Sequence, residues 1–486
     1  MKKLFLFIFI SFSILSQAQT YKIIKETNGI FDGFYQLYDY NKEDIFGYME
    51  VTRYDKVSPT KRKLKYKILD KNFNVIKKGE IIKEAHAKKN IVTTEKAIYN
   101  NGYILLFNSE KARYKNTYET VAQMYDLIDI KSNKSIDSKY FDELFEKNPK
   151  NISKLKKHKF RSLIFSQSYF NAEPFGEEGF YISNGYVLSF ETLVLGFDGK
   201  TYLKNIKSPY KGYWLIAPIK TNKNYIIFFG QNTMKKITFA KPNEYILVYD
   251  RAANKFKYKI PLFTNNYTLK QEYLDIKDDK IIIIGKYFVK NKRDRIKAKN
   301  ALGFYKRVVD IKTGKYIEEI YKPYKDLHIP NLNEKGRFKH EGTISVRHID
   351  VTPQGNVMIL AETYKGNYAK GLYTFLLDKN LNLIKFKNFI TKPSTNYKFD
   401  FAQDLINNKG KLYIFYDKDN RKEYNIHFII FNYADNSITE KTKHINLRKH
   451  FLKIGRAKKG YILMIEAFKK PKKGQKQMEL RLEKID

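Results

Sequence analysis

The stretch SYFNAEPFGEEGFYISNGY, Ser168 to Tyr186, sets Glu173, Glu177 and Glu178 among Tyr169, Phe170, Phe175, Phe180 and Tyr181. Carboxylates beside ring faces suit two kinds of ligand. Rings stack on the apolar faces of sugars, and they attract cations. The surrounding segment is unusual for this chain, because Ser162 to Gly199 contains no Lys and no Arg. Pro174, Gly176, Gly179 and Gly185 favour a loop here, and loops carry function more often than the scaffold beneath them. Tyr169, Glu173, Phe175, Glu177, Glu178 and Tyr181 are therefore the candidate binding residues. The plainer alternative is an internal counter-charge packed against Lys-rich neighbours, with its aromatics buried.

Histidine offers a second constellation. His328, His340 and His348 fall in one connection and the strand after it, with Glu341 beside His340. In RHID, His348 and Asp350 share one face of a strand, because side chains alternate with period two. An imidazole and a carboxylate on one face are weak candidates for a transition-metal site, and ordinary surface or hydrogen-bonded histidines fit the pattern better. YDKDNRKE gathers Asp417, Asp419 and Glu423 in a turn, as a calcium loop does. Lys418, Arg421 and Lys422 cancel that charge, so a solvated turn is expected. No nucleophile elbow, P-loop, zinc-protease helix or dinucleotide fingerprint occurs. No catalytic residue, metal or cofactor is assigned, and an enzyme is the lesser expectation.

The chain carries a formal charge of +41, and 78 of its 92 basic residues are Lys. Proteins that grip phosphates with geometric precision lean on Arg, so nucleic acid is not the expected partner. Lysines spread along outward strand positions read as a solvated surface that attracts anionic polymers non-specifically. Cysteine is absent, so disulfides and thiolate ligands are excluded. Lys2 and Lys3 precede an apolar run, Leu4 to Leu15, and Ser16-Gln17-Ala18 supplies small residues after it. That layout is a secretory signal. Cleavage after Ala18 is expected, giving a periplasmic, envelope or secreted chain from Gln19.

Those residues need a scaffold, and a repeat supplies one. A two-strand phrase recurs: YKILDKNFNVIKKGEI, YDLIDIKSNKSI, LVLGFDGKTYLKNI, YILVYDRAANKFKYKI, RVVDIKTGKYIEEI, TFLLDKNLNLIKF and FIIFNYADNSITEKT. Each turn carries an acid or amide, at Asp70, Asp129, Asp198, Asp250, Asp310, Asp378 and Asn432, spaced by 52 to 69 residues. Short side chains of this type bond to backbone two residues on and favour tight turns. Before most copies stands a near-continuous apolar strand, such as NNGYILLF, KNYIIFFG, DDKIIIIG or QGNVMILAE. Strands of that kind are buried on both faces, and they are expected to be the innermost ones. The segment from Asp137 to Lys159 breaks the pattern with the helical spacing of Phe141, Leu144 and Phe145, which predicts a short helical insertion.

The eighth copy, MELRLEKID, stops at its turn acid and lacks the strand that every other copy places afterwards. TYKIIKE, Thr20 to Glu26, is unclaimed and fits that vacancy. Pairing the two covers exposed strand edges and ties down both termini. This order resembles secreted β-propeller repeat proteins in general, without a WD dipeptide or a kelch double glycine. The expectation is an all-β, single-domain propeller over residues 19–486. Eight blades are expected, with seven as runner-up because the third copy is irregular, and an open two-sheet array is the structural alternative. The repeat count, the signal segment and the absence of catalytic motifs point to a non-catalytic binding or scaffolding role toward an envelope or extracellular protein or glycan. A polysaccharide-active hydrolase or lyase, with acidic or His residues at the channel mouth, is the alternative.

Overall fold

The computed structural model describes residues 19–144 and 169–485, apart from 26–27, 40–43, 55–56, 115–116, 186–189, 205–209, 211–212, 234–243, 290–300, 390, 396–398, 419–422, 447–449 and 469. Eight small antiparallel sheets follow one another along the chain. They are the blades of an all-β, eight-bladed β-propeller. Blades 1 to 7 occupy residues 30–84, 91–140, 169–202, 213–261, 267–323, 337–389 and 399–446. Seven blades have four strands, and blade 6 adds a two-residue strand, Arg337–Phe338, to make five.

Blade 8 takes three strands from residues 450–484 and its fourth from the other end of the chain. Gln19–Ile24 pairs antiparallel with Lys476–Lys484, setting Tyr21 opposite Leu480 and Ile23 opposite Met478. Ile23 is buried and joins Leu463, Leu480 and Leu482 in a core shared with Ile45, Tyr48 and Leu69 of blade 1. The expected completion of the last blade is present.

All seven turn residues do what their chemistry demands. A side-chain oxygen of each accepts a backbone N–H bond within its own turn, from Asn72 to Asp70, Lys131 to Asp129 and Lys200 to Asp198. The donors are Ala253 for Asp250, Thr313 for Asp310, Asn380 for Asp378 and Ala434 for Asn432.

The strand order differs from the sequence-based expectation. The apolar runs lie in the second strand of each blade, as in Tyr103–Tyr114, Tyr225–Thr233 and Lys280–Val289. The first strands are the ones that neighbouring blades bring together, in blades 1, 2 and 3 and again in blades 4, 5 and 6. A first strand such as Ile91–Asn100 keeps Glu95 and Lys96 exposed, so continuous apolarity does not mark it. Second strands have a strand on either side, and their two faces pack against adjacent blades.

The chain divides into two compact units. One holds residues 1–206, 403–408 and 447–486; the other holds 207–402 and 409–446. Cores in the first unit join blades 8 and 1, 1 and 2, and 2 and 3. Those in the second join blades 4 and 5, 5 and 6, and 6 and 7. The expected helical insertion is a single turn, Phe141–Leu144, whose Phe141 and Leu144 are buried; residues 145–159 lie outside the described part. No helix among the described residues is long and apolar enough to cross a membrane.

Candidate functional site

The first strands carry charge where they pair with the second. In five blades a bulge leaves one first-strand residue unpaired: Asp32, Glu95, Ile219, Glu272 and Arg347. A bulge bends the strand and re-aims a side chain. Each of the four charged ones meets an opposite charge on the second strand of its own blade. The pairs are Asp32–Arg53 at 3.9 Å, Glu95–Lys111 at 2.6 Å, Glu272–Lys286 at 3.6 Å and Arg347–Glu362 at 3.4 Å. Burial pushes Asp32 above the usual carboxylate range, against the N–H of Thr94 and the guanidinium of Arg53, which pull it down. Burial pushes Lys286 down to about 8 while Glu272 works the other way.

Two cavities open beside the first strands of blades 1, 2 and 3. One, of about 270 Å³, is walled by Phe34, Tyr35, Gln36, Tyr38 and Asp39 of blade 1, by Lys96 to Tyr99 of blade 2, and by Glu173 and Pro174 of blade 3. The other, of about 410 Å³, is lined by Glu95, Lys96, Lys111, Thr120, Gln123 and Asn171 among others. Lys96 belongs to both. Three strands from separate blades, with Asp39 just past the end of the first, thus place aromatic residues, two carboxylates, an ammonium and an amide around one space.

The wall is built by hydrogen bonds between blades. Lys96 Nζ donates to the carbonyl of Ala172 at 2.8 Å, and Tyr35 donates to the carbonyl of Thr94 at 2.7 Å. Gln36 Nε2 donates to the Arg456 carbonyl at 2.5 Å, while its Oε1 accepts from Tyr38 at 2.7 Å. Gly455 permits that approach, since a Cβ there would sit 2.5 Å from Gln36 Nε2. Tyr99 stacks on Phe46 with ring centroids 4.1 Å apart. Burial raises the Tyr35 and Tyr99 phenols, so both rings stay neutral.

Tyr169 to Gly185 forms a hairpin rather than the expected loop. Tyr169–Phe175 pairs with Gly179–Gly185 in unbroken register. Phe170 and Phe180 lie on one face of the paired strands and Phe175 and Tyr181 on the other, all four are buried, and Phe175 stacks near Tyr181 at 6.4 Å. The turn is pinned from blade 2. Buried Asn100 donates to the carbonyls of Gly176 and Gly179 at 2.9 and 2.7 Å, and Asn101 donates to that of Glu177 at 3.2 Å. Glu173, Glu177 and Glu178 are exposed. Glu173 reaches the smaller cavity, whereas Glu178 accepts from Tyr202 at 3.5 Å at the turn.

His348 and Asp350 share a face as expected, with Nε2 and Oδ2 2.9 Å apart. Burial alone would raise Asp350, yet His348, Lys411 and the Tyr413 hydroxyl hold it down at about 2. His328 and His340 are exposed. Among the described residues no three His, Cys, Asp or Glu side chains are grouped to hold a metal. Asp419 and the side chains of Asp417 and Glu423 lie outside the described part.

Sequence reasoning reached Glu173 but missed Tyr35, Gln36, Tyr38, Asp39, Lys96 and Tyr99. The available signal was the charged pair Glu95-Lys96 inside a β-rich run, IVTTEKAIYN.

No protein-family model matches the chain, and no curated protein matches it. Solved structures do match. A prolyl endopeptidase aligns over 94% of this chain at 7% identity and a TM-score of 0.40, and this chain spans 55% of its length. The polysaccharide lyase Uly1 aligns over 80% of this chain and 89% of its own, at 9% identity and a TM-score of 0.41. A dihydro-heme d1 dehydrogenase aligns over 79% of this chain and 71% of its own, at 11% identity and a TM-score of 0.31. At these identities and scores, nothing of the neighbours' chemistry passes to this chain.

Proposed function

We propose that the protein is an exported binding module that holds a polyhydroxylated ligand, a glycan segment of the envelope or extracellular space, in the first-strand cavity of blades 1 to 3. One observation carries this reading. Phe34, Tyr35, Tyr38 and Tyr99 line the same space as Gln36, Asp39, Lys96 and Glu173. Ring faces suit the apolar side of a sugar, and convergent polar groups fix its hydroxyls. Calorimetric titration of the full chain with a panel of soluble oligosaccharides tests it. Tyr99→Ala and Glu173→Gln should each weaken binding at least about tenfold, the loss of about one well-placed contact. Unchanged affinity in both folded variants removes the site. Export rests on Lys2, Lys3 and the apolar run after them, and N-terminal sequencing of the exported protein should begin at Gln19.

A second reading has its own support, since Asp39 and Glu173 line one cavity. Glycoside hydrolysis uses two facing carboxyl groups. On that reading, Asp39→Asn and Glu173→Gln abolish reducing-end release from a polysaccharide while binding persists. The lysine-rich surface adds a non-specific attraction to anionic polymers, which fades with salt.

A further inference from the structure

At blade 4 the chain's only tryptophan and two tyrosines, one of them just before the blade, surround one ammonium. Lys259 Nζ lies 4.4 Å from the ring centroid of Tyr210, 5.0 Å from that of Tyr245 and 5.8 Å from that of Trp214. Trp214 comes from the first strand, Tyr213–Thr221, Tyr245 from the third, Glu244–Asp250, and Lys259 from the fourth, Lys255–Pro261. The rings brace one another, with centroids 5.6 Å apart for Tyr210 and Trp214 and 5.2 Å for Trp214 and Tyr245. Phe263 meets Tyr245 edge-on at 5.5 Å. Gly230 makes room for the indole, because a Cβ there would lie 3.3 Å from Trp214 and 2.7 Å from Leu247. The three rings are half-buried and Lys259 is exposed, so the box opens to solvent.

We propose that this box is a second binding site, separate from the cavity of blades 1 to 3. It takes the quaternary ammonium of a zwitterionic ligand, and Lys259 is the side chain that occupies it until the ligand arrives. Three ring faces around a cation form a quaternary-ammonium receptor. Lys259 fits this setting poorly. Its three N–H donors are left to water, because Lys259 is exposed and among the described residues no carboxylate lies within ion-pair distance of it. A trimethylammonium group has no N–H to satisfy and fills the same ring faces with its methyls. The net charge of +41 repels a simple cation, but a zwitterion avoids that penalty. The displaced ammonium of Lys259 then pairs with the ligand's own phosphate or carboxylate.

Trp214, as the only tryptophan, reports occupancy through its fluorescence in the full chain. Phosphocholine should give a saturable change in the wild type, and choline a weaker one. Lys259→Ala removes the competing ammonium and should tighten choline about tenfold, in keeping with one desolvated cation–π contact. It should also erase the advantage of phosphocholine over choline. Tyr245→Leu should lose the response to both; Lys259→Ala alters an exposed strand position and keeps the test alive if Tyr245→Leu fails to fold. A shift with phosphatidylcholine vesicles names a lipid headgroup as the source, and a response confined to free phosphocholine names a soluble one. The proposal is overturned if neither phosphocholine in the wild type nor choline in Lys259→Ala gives a saturable change. An equal response to choline's neutral carbon isostere overturns it as well.

Discussion

The ammonium of Lys83, on the last strand of blade 1, lies 2.7 Å from a carboxylate oxygen of Asp126 on the third strand of blade 2, and both are sealed from solvent. Lys83 Nζ also donates to the Tyr125 carbonyl at 3.1 Å and to Ser138 Oγ at 2.5 Å, and Asn108 donates to Asp126 at 2.8 Å. Two adjacent blades are thereby joined by a buried charge pair. Removing one member strands the other, at a cost of about 3–5 kcal/mol. Lys83→Met should lose that much in urea unfolding, and the double variant Lys83→Met with Asp126→Leu should recover most of it. Equal loss in single and double variants would show that the pair is not the cause.

Blade 8 needs its borrowed strand. Ile23 is 4% exposed within the blade 8 and blade 1 core, and Tyr21 donates to Glu50 of blade 1 at 2.6 Å. Ile23→Ala should cost about 2–4 kcal/mol as a core truncation. Ile23→Asp should cost more, because it buries a charge without a partner. Parallel measurement of exposed Ile24→Ala, expected to change little, separates burial from strand propensity.

His86 gives stability a pH dependence of known sign. The hydrogen bond that His86 donates to Glu110 raises His86, burial opposes it, and the Glu110 charge adds to the rise. Its Nδ1 lies 2.7 Å from Glu110, which also accepts from Asn90 at 2.6 Å and from the His86 N–H at 2.8 Å. Tyr140 faces the same ring at 3.0 Å. A folded value above the unfolded one means that the protonated pair stabilises fully below about pH 6.5, and that this gain disappears as pH rises through the folded value. The melting-temperature difference between wild type and His86→Gln should therefore shrink as pH rises through a window that starts at about 6.5. A constant difference across that window rules the linkage out.

Lys286 works in the opposite direction. With burial holding it at about 8, against 10.5 when free, the folded chain sheds this proton before the unfolded chain does. The unfolded state binds more protons between these values, so stability rises with pH through that window. Lys270, Glu272 and Arg347 are the charged groups that face it. Wild type minus Lys286→Met stability should climb across that interval. A flat difference would place the Lys286 proton elsewhere.

Local chemistry made much of the fold legible. The turn residues act within their own turns, as when Asp378 Oδ1 accepts from Asn380 and Asn382 at 2.8 and 2.7 Å. Such bonds need only a few neighbouring residues, so the hairpins and the blade count could be read in advance. The vacant place after Met478 to Leu482 was legible for a similar reason, since a repeat that stops early exposes an edge. The apolar second strands were visible too, but their position in the blade was not, because burial on both faces does not say which neighbour supplies each cover.

The hairpin at Tyr169 to Gly185 marks the other boundary. Its composition stood out, yet Phe175 and Tyr181 turned inward because strand pairing, rather than residue type, decides which face is covered. Residue order by itself determined the blades, their turns and the strand shared by the two termini, all consequences of short-range patterning and one missing piece. Tertiary structure alone decided that Asp39, Lys96 and Glu173 border one cavity and that Trp214, Tyr245 and Lys259 meet on one blade. Those residues come from different strands, and the physical reason is that only packing and bulge geometry bring such distant side chains to one place.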